Sequence, residues 1–130
     1  MRVLYVDDDI DDLIMLEEAM REVDNTVSCI TAQSGREALN LLVSSGLIPE
    51  IIILDINMPD MTGWDCVVEV KKHARLSKTL LVILTTAVSH TDKEHAALLG
   101  VPYLFKKPNT VSELMSIVRT VLEQGRKLAL

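Results

Sequence analysis

Five short, mainly apolar runs punctuate the chain at fairly even intervals: Val3–Val6, Val27–Thr31, Glu50–Leu54, Leu80–Leu84 and Pro102–Phe105. Runs of this length without strict alternation of polar and apolar residues predict strands buried on both faces. Between and after them apolar residues recur at helical spacing, first over Asp11–Val23, where Leu13, Leu16 and Met20 share a face. The later helix starts carry chemical signals. Ser34 with Glu37, Thr91 with Glu94 and Thr110 with Glu113 read as capping boxes, and Thr62 with Asp65 as a shorter analogue. Gly46 and Gly100 fall where helices should stop, in the manner of left-handed caps. Five strand-then-helix units predict an α/β domain whose parallel sheet is covered on both faces by right-handed crossovers. The 130 residues suit one domain, expected to span positions 1–130 with no output domain, because about eight residues follow Leu122.

Composition narrows the class. A hydrophobic fraction of 48% argues against disorder, and no apolar run reaches the 18 residues of a membrane span. The chain enters a strand at once, without the ordered regions of a signal peptide, so the cytoplasm is the expected compartment. Cys29 and Cys66 have neither metal-ligand nor CxxC spacing and read as packed thiols. The net charge of −6 is lopsided: residues 1–24 hold nine acids against two arginines, while the remainder is nearly balanced. With no overall basic excess and no aromatic interleaving, nucleic-acid binding has little support; the basic stretch "KKHARLSK" at 71–78 reads as a solvated helix end and loop.

In a doubly wound sheet, ligands bind beyond the carboxyl ends of the strands. The residues just past the predicted strands are Asp7, Asp8 and Asp9; Ala32 and Gln33; Asp55; Thr85 and Thr86; and Lys106, Lys107 and Pro108. Carboxylates from two strand ends form a hard oxygen site suited to Mg²⁺, with Mn²⁺ as the alternative ion. A lysine opposite the cation adds a second positive pole, and an anionic phosphoryl group fits between the two. Asp55 beside the metal can then act as a nucleophile toward phosphorus.

The segments "YVDDD" at 5–9, "ILDINMPDMTG" at 53–63, "VILTTA" at 82–87 and "LGVPYLFKKP" at 99–108, in this order, resemble the receiver domains of two-component response regulators of the single-domain, chemotaxis-regulator type. The resemblance runs from about residue 2 to about residue 122 and implies a flavodoxin-like (βα)5 fold with strand order 2-1-3-4-5. It implies that Asp55 accepts a phosphoryl group from a phosphohistidine on a sensor histidine kinase or a histidine phosphotransfer protein. Asp8 would ligate the metal directly, Asp7 mostly through water, and the Asn57 backbone carbonyl would complete the protein share. Thr85 would donate its hydroxyl to a phosphoryl oxygen and Lys107 would pair with another, with Thr86 and Lys106 as the alternative registers. The Met58-Pro59 turn and Gly63 would shape the loop beside the acceptor. Counting back from Lys107 puts Leu104 at a switch position where many members carry an aromatic residue, with Tyr103 one place earlier. The Lys107–Pro108 bond resembles the family's cis peptide. Signalling would pass through a downstream protein bound at the fourth helix, fifth strand and fifth helix, from a monomer or a phosphorylation-dependent dimer, without membrane or nucleic acid.

Other readings compete. Asp7, Asp9, Asp11 and Glu18 fall at positions 1, 3, 5 and 12 of a calcium loop, but Asp12 stands where that loop needs glycine. A phosphate-ester hydrolase of haloacid-dehalogenase type would need an acid two residues after the nucleophile, where this chain has Asn57, and Ala87 offers nothing to orient water. A receiver fold acting independently of phosphorylation is the third reading. Within the acidic run, Asp7 and Asp8 are assigned to the site, and Asp9, Asp11 and Asp12 to the positive end of the following helix. His73, His90 and His95 read as surface residues, Trp64 as packing on the loop after the third strand, and Met58 and Met61 as loop packing.

Overall fold

The computed structural model describes residues 1–129. Its elements alternate: β1 (Arg2–Val6), α1 (Ile10–Val23), β2 (Ser28–Ala32), α2 (Gly35–Leu39), β3 (Ile51–Leu54), α3 (Gly63–Lys71), β4 (Leu80–Thr85), α4 (His90–Leu99), β5 (Tyr103–Lys106) and α5 (Val111–Ala129). The five strands are parallel in the order β2-β1-β3-β4-β5, the doubly wound topology expected. Every strand starts and stops within one residue of its expected limits.

Side chains alternate across a strand, so each central strand feeds two cores. Leu4, Val6, Ile52, Leu54, Leu81 and Ile83 pack under α2, α3 and α4 with Ala38, Leu42, Val67, Val70 and Ala96. Val3, Tyr5, Ile51, Ile53, Val82 and Leu84 face α1 and α5, meeting Leu13, Leu16, Met20, Leu114, Val118 and Leu122. This double burial explains why the strands read as continuous apolar runs.

Helix starts correct some expectations. The α4 cap is Ser89 with Asp92, a full capping box, rather than Thr91 with Glu94. Because α4 begins at His90, Thr91 is already helical, and Glu94 instead meets His90 at 2.9 Å one turn away. Ser34 accepts from the Glu37 amide, but the Glu37 carboxylate takes the Gln33 amide at 2.9 Å, so that box is shifted by one residue. Thr62 with Asp65 is also a complete box, where an abbreviated one was expected. At Thr110 the hydroxyl accepts from the Glu113 amide at 3.2 Å. α2 widens into a π-helical turn over Asn40–Ser44, and Gly46 and Gly100 both take left-handed conformations, at φ of 73° and 69°.

Candidate functional site

Backbone ladders carry the strand ends one residue further and so fix where the polar residues emerge. The Asp7 amide donates to Ala32 O at 3.1 Å, the Asp55 amide to Val6 O at 2.9 Å and the Lys107 amide to Thr85 O at 2.6 Å. Asp7, Asp55 and Thr85 are buried, and Lys107 is half-buried beside them. The four residues named from separate strands therefore stand together at one sheet edge.

Contact distinguishes the two lysines. The Lys107 ammonium lies 2.7 Å from Asp7 Oδ2 and 3.6 Å from Asp55 Oδ2, while Lys106 is exposed on β5, paired across the ladder with Thr85. Burial separates the two threonines. Thr86 is exposed, whereas Thr85 is 0% exposed and its Oγ1 has no hydrogen-bond partner. A buried hydroxyl without a partner costs about 1–3 kcal/mol, so Thr85 Oγ1 is a donor free to meet an acceptor oxygen at this edge.

Carboxylate oxygens of Asp7, Asp8 and Asp55 lie within 4.8 Å of one another, a donor set suited to a divalent cation. Their chemistry fits a hard metal ion. Burial, followed by repulsion from Asp7, pushes the Asp55 carboxyl up to about 6, although Lys107 and the Ile56 amide pull the other way. A cation between these groups would offset that repulsion. Asp7 has little capacity left for direct ligation: its Oδ2 accepts from the Tyr5 hydroxyl at 2.6 Å and from Lys107, and its Oδ1 from the Asp9 amide at 3.0 Å. Asp8 is exposed and available.

Two residues at the site were not assigned to it by the sequence. Asp12, expected to serve the helix start, places Oδ2 2.8 Å from the Lys107 ammonium. Helix side chains lean toward the N-terminus, which turns a first-turn residue back onto the strand end. Tyr5, read only as a strand residue, lies two positions before Asp7 and hence on the same face of the extended chain. Those spacings were the available signals. Asp9 does cap α1, accepting from the Asp11 and Asp12 amides, which removes the calcium-loop reading: the helix has started where that loop would continue.

The surrounding loop agrees in part with expectation. Met58 is buried and Met61 packs against the same core as Trp64. A Cβ at Gly63 would stand 2.3 Å from Asp55 O, so only glycine lets α3 start this close to Asp55. Trp64 also donates from Nε1 to Asp92 Oδ1 at 3.1 Å and meets the His95 ring edge-on at 5.4 Å. His95 is half-buried rather than fully on the surface as expected, because its ring meets the α3 indole. His90 is exposed as expected. Leu104 packs toward the α4 side, while Tyr103 and Phe105 stack on the opposite face with ring centroids 5.9 Å apart. The Lys107–Pro108 bond corrects the cis expectation: no cis peptide occurs among the described residues. Trans is the intrinsically favoured isomer, by about 0.5–1 kcal/mol at a bond before proline, and it is compatible here with both the Lys107 amide bond and its ion pairs.

The chain matches the response regulator receiver domain over residues 3–119. Among curated proteins it is 29% identical over 127 residues to the Staphylococcus aureus response regulator SaeR, covering 98% of this chain and 53% of that protein. It is 28% identical over 117 residues to the Helicobacter pylori sensor histidine kinase CheAY, covering 90% of this chain and 14% of that one. The chain thus spans about half or less of the length of these relatives. Among solved structures, the phosphorylated cyanobacterial phytochrome response regulator RcpA superposes with a TM-score of 0.84 at 26% identity, over 94% of this chain and 91% of that one. Vibrio cholerae chemotaxis protein CheY4 superposes with a TM-score of 0.79 at 30% identity, over 92% and 97%. The matched span contains all of the sheet but its first residue and every strand end that builds the acidic pocket, and the chain belongs to the response regulator receiver family, whose members are signalling modules rather than turnover enzymes.

Proposed function

We propose that this chain is a Mg²⁺-dependent phosphoacceptor that takes a phosphoryl group from a phosphohistidine onto Asp55 and signals through protein contacts. The observation that carries the reading is the buried Thr85 hydroxyl without a partner, at the same sheet edge as a carboxylate triad and an ammonium. Asp8 and Asp55 would hold the cation directly, the Asn57 carbonyl would complete the protein ligands, and Asp7 would act through water. The cation would neutralise charge on the transferring group. Lys107 and Thr85 supply the donors that the equatorial oxygens require, so the site works by positioning and electrostatics. That RcpA, 26% identical, was crystallised phosphorylated supports the same chemistry here.

Once formed, the aspartyl-phosphate would draw the Thr85 hydroxyl inward and empty space beneath Leu104, which repacks. A charge change would thereby bias the face of α4, β5 and α5 toward a downstream protein. The donor would be a sensor histidine kinase or histidine phosphotransfer protein in the cytoplasm, with Mn²⁺ able to replace Mg²⁺. The receiver would act as a monomer or dimerise on phosphorylation. Incubation with acetyl phosphate and Mg²⁺ should add the mass of one phosphoryl group. No addition, or equal addition to Asp55→Asn, would overturn the assignment.

A further inference from the structure

An ammonium has three donors, and two of those on Lys107 are committed. They go to Asp7 Oδ2 at 2.7 Å and Asp12 Oδ2 at 2.8 Å, leaving Asp55 Oδ2 at 3.6 Å. Asp7 is itself pinned by the hydroxyl of Tyr5, a side chain only 1% exposed and packed between α1 and α5. A chain of contacts thus runs Tyr5–Asp7–Lys107–Asp12 from the core to the first turn of α1. Lysine normally carries about 2 kcal/mol of rotamer freedom, and here that freedom is already spent. The remaining N–H stands too far from Asp55 to bond the free carboxylate, but a phosphorus atom on Asp55 would carry its oxygens outward into the gap.

We propose that Asp12 and Tyr5 are positioning residues for phosphoryl transfer, Asp12 by direct contact and Tyr5 through Asp7, holding the Lys107 ammonium so that one donor is reserved for the incoming group. This rests on the reading of Asp55 as phosphoacceptor. In that step an Asp55 oxygen bonds to phosphorus as the donor's bond to phosphorus breaks. The departing group keeps the electron pair, and Lys107 keeps its protons throughout.

Positioning and bulk charge predict opposite signs at Asp12. Removing its negative charge would by itself ease the approach of an anion and speed the transfer. Loss of positioning slows it, by about tenfold for displacements of an ångström or less. The test uses the full chain and four proteins: wild type, Asp12→Asn, Asp12→Glu and Tyr5→Phe. Phosphorylation by acetyl phosphate with Mg²⁺ is followed by mass, and the Lys107 ammonium by ¹⁵N NMR. Asp12→Asn should lose the protected ammonium signal and phosphorylate about tenfold more slowly. Asp12→Glu should recover most of both, and Tyr5→Phe, which keeps the core shape, should fall between. A rate at or above wild type in Asp12→Asn, or an unchanged ammonium signal, overturns the proposal. Failure of the wild type to take up phosphoryl would overturn the acceptor reading, and the ammonium signal would still decide whether Asp12 and Tyr5 hold Lys107.

Discussion

Asp55→Asn should make the metal-free protein more stable at neutral pH. The Asp55 carboxyl sits at about 6 against an ordinary 3.8, chiefly through burial and then repulsion from Asp7, so ionising it strains the fold. A shift of about two units corresponds to about 3 kcal/mol at about 1.4 kcal/mol per unit. Asn keeps the size and can still accept from the Ile56 amide, now bonded to Asp55 Oδ1 at 2.9 Å. It removes the charge. The gain should therefore be about 1–3 kcal/mol. Its pH dependence follows from linkage: between about 4 and 6 the native state holds more protons on this group than the unfolded state, so the wild type loses stability as pH rises through that window. Above pH 6 the full penalty is present, and below pH 4 it is absent. Urea unfolding in chelator should show the Asp55→Asn midpoint higher by about 1–2 M at pH 7.5, with m near 1–2 kcal/mol/M for a small domain. The gap should shrink toward zero at pH 4. A mutant no more stable than wild type at pH 7.5, or a gap independent of pH, would refute the argument.

Other expectations follow from the same edge. Mg²⁺ at ten times its dissociation constant should stabilise the wild type by about 1.4 kcal/mol and Asp8→Asn by much less, as read by thermal melting with and without the ion. Thr85→Val replaces an unpartnered buried hydroxyl with a methyl of similar shape and should raise stability by about 1 kcal/mol while shortening the lifetime of the phosphorylated form, measured by urea titration and by dephosphorylation kinetics. Gly63→Ala would drive a Cβ to 2.3 Å from Asp55 O, so it should cost about 2 kcal/mol or more and weaken Mg²⁺ binding, as seen in Trp64 fluorescence. Asp92→Ala removes both the Ser89 capping partner and the Trp64 indole bond, and should lower stability by about 1–2 kcal/mol and shift the Trp64 emission.

The sheet was legible because parallel strands buried on both faces leave long apolar runs, and turn chemistry marked most boundaries. α4 shows the limit. Ser89 with Asp92 and Thr91 with Glu94 both satisfy the capping pattern, and the helix starts at the earlier of the two. The π-helical turn after α2 has no local signature at all; there Leu42 stays in the core while Arg75 donates to its carbonyl. The site was legible for a different reason: ionisable residues directly after apolar runs are brought together by any parallel sheet. What remained hidden were partners reached by side-chain direction, namely Asp12 leaning back from α1, Tyr5 beneath Asp7, and His95 turned against Trp64.

Those hidden contacts change what the acidic run means. Counted along the chain, five aspartates in six positions look like uniform repulsion. In the structure they divide by partner. Asp9 spends its charge on the α1 amides, Asp12 and Asp7 share the Lys107 ammonium, and Asp11 stays in solvent at the positive end of the helix. Asp8, exposed, and Asp55, only partly offset by Lys107 and the Ile56 amide, are left, with the Thr85 hydroxyl unpartnered at the same edge. Among the buried side-chain groups of the sheet edge, Thr85 Oγ1 alone lacks a partner, and it lies with the groups that a cation and a phosphoryl group would engage. If both bind as proposed, they would stabilise the fold through the same atoms that perform the chemistry. A mutation that relieves the strain beforehand, such as Asp55→Asn, should for that reason gain stability and lose the capacity to respond.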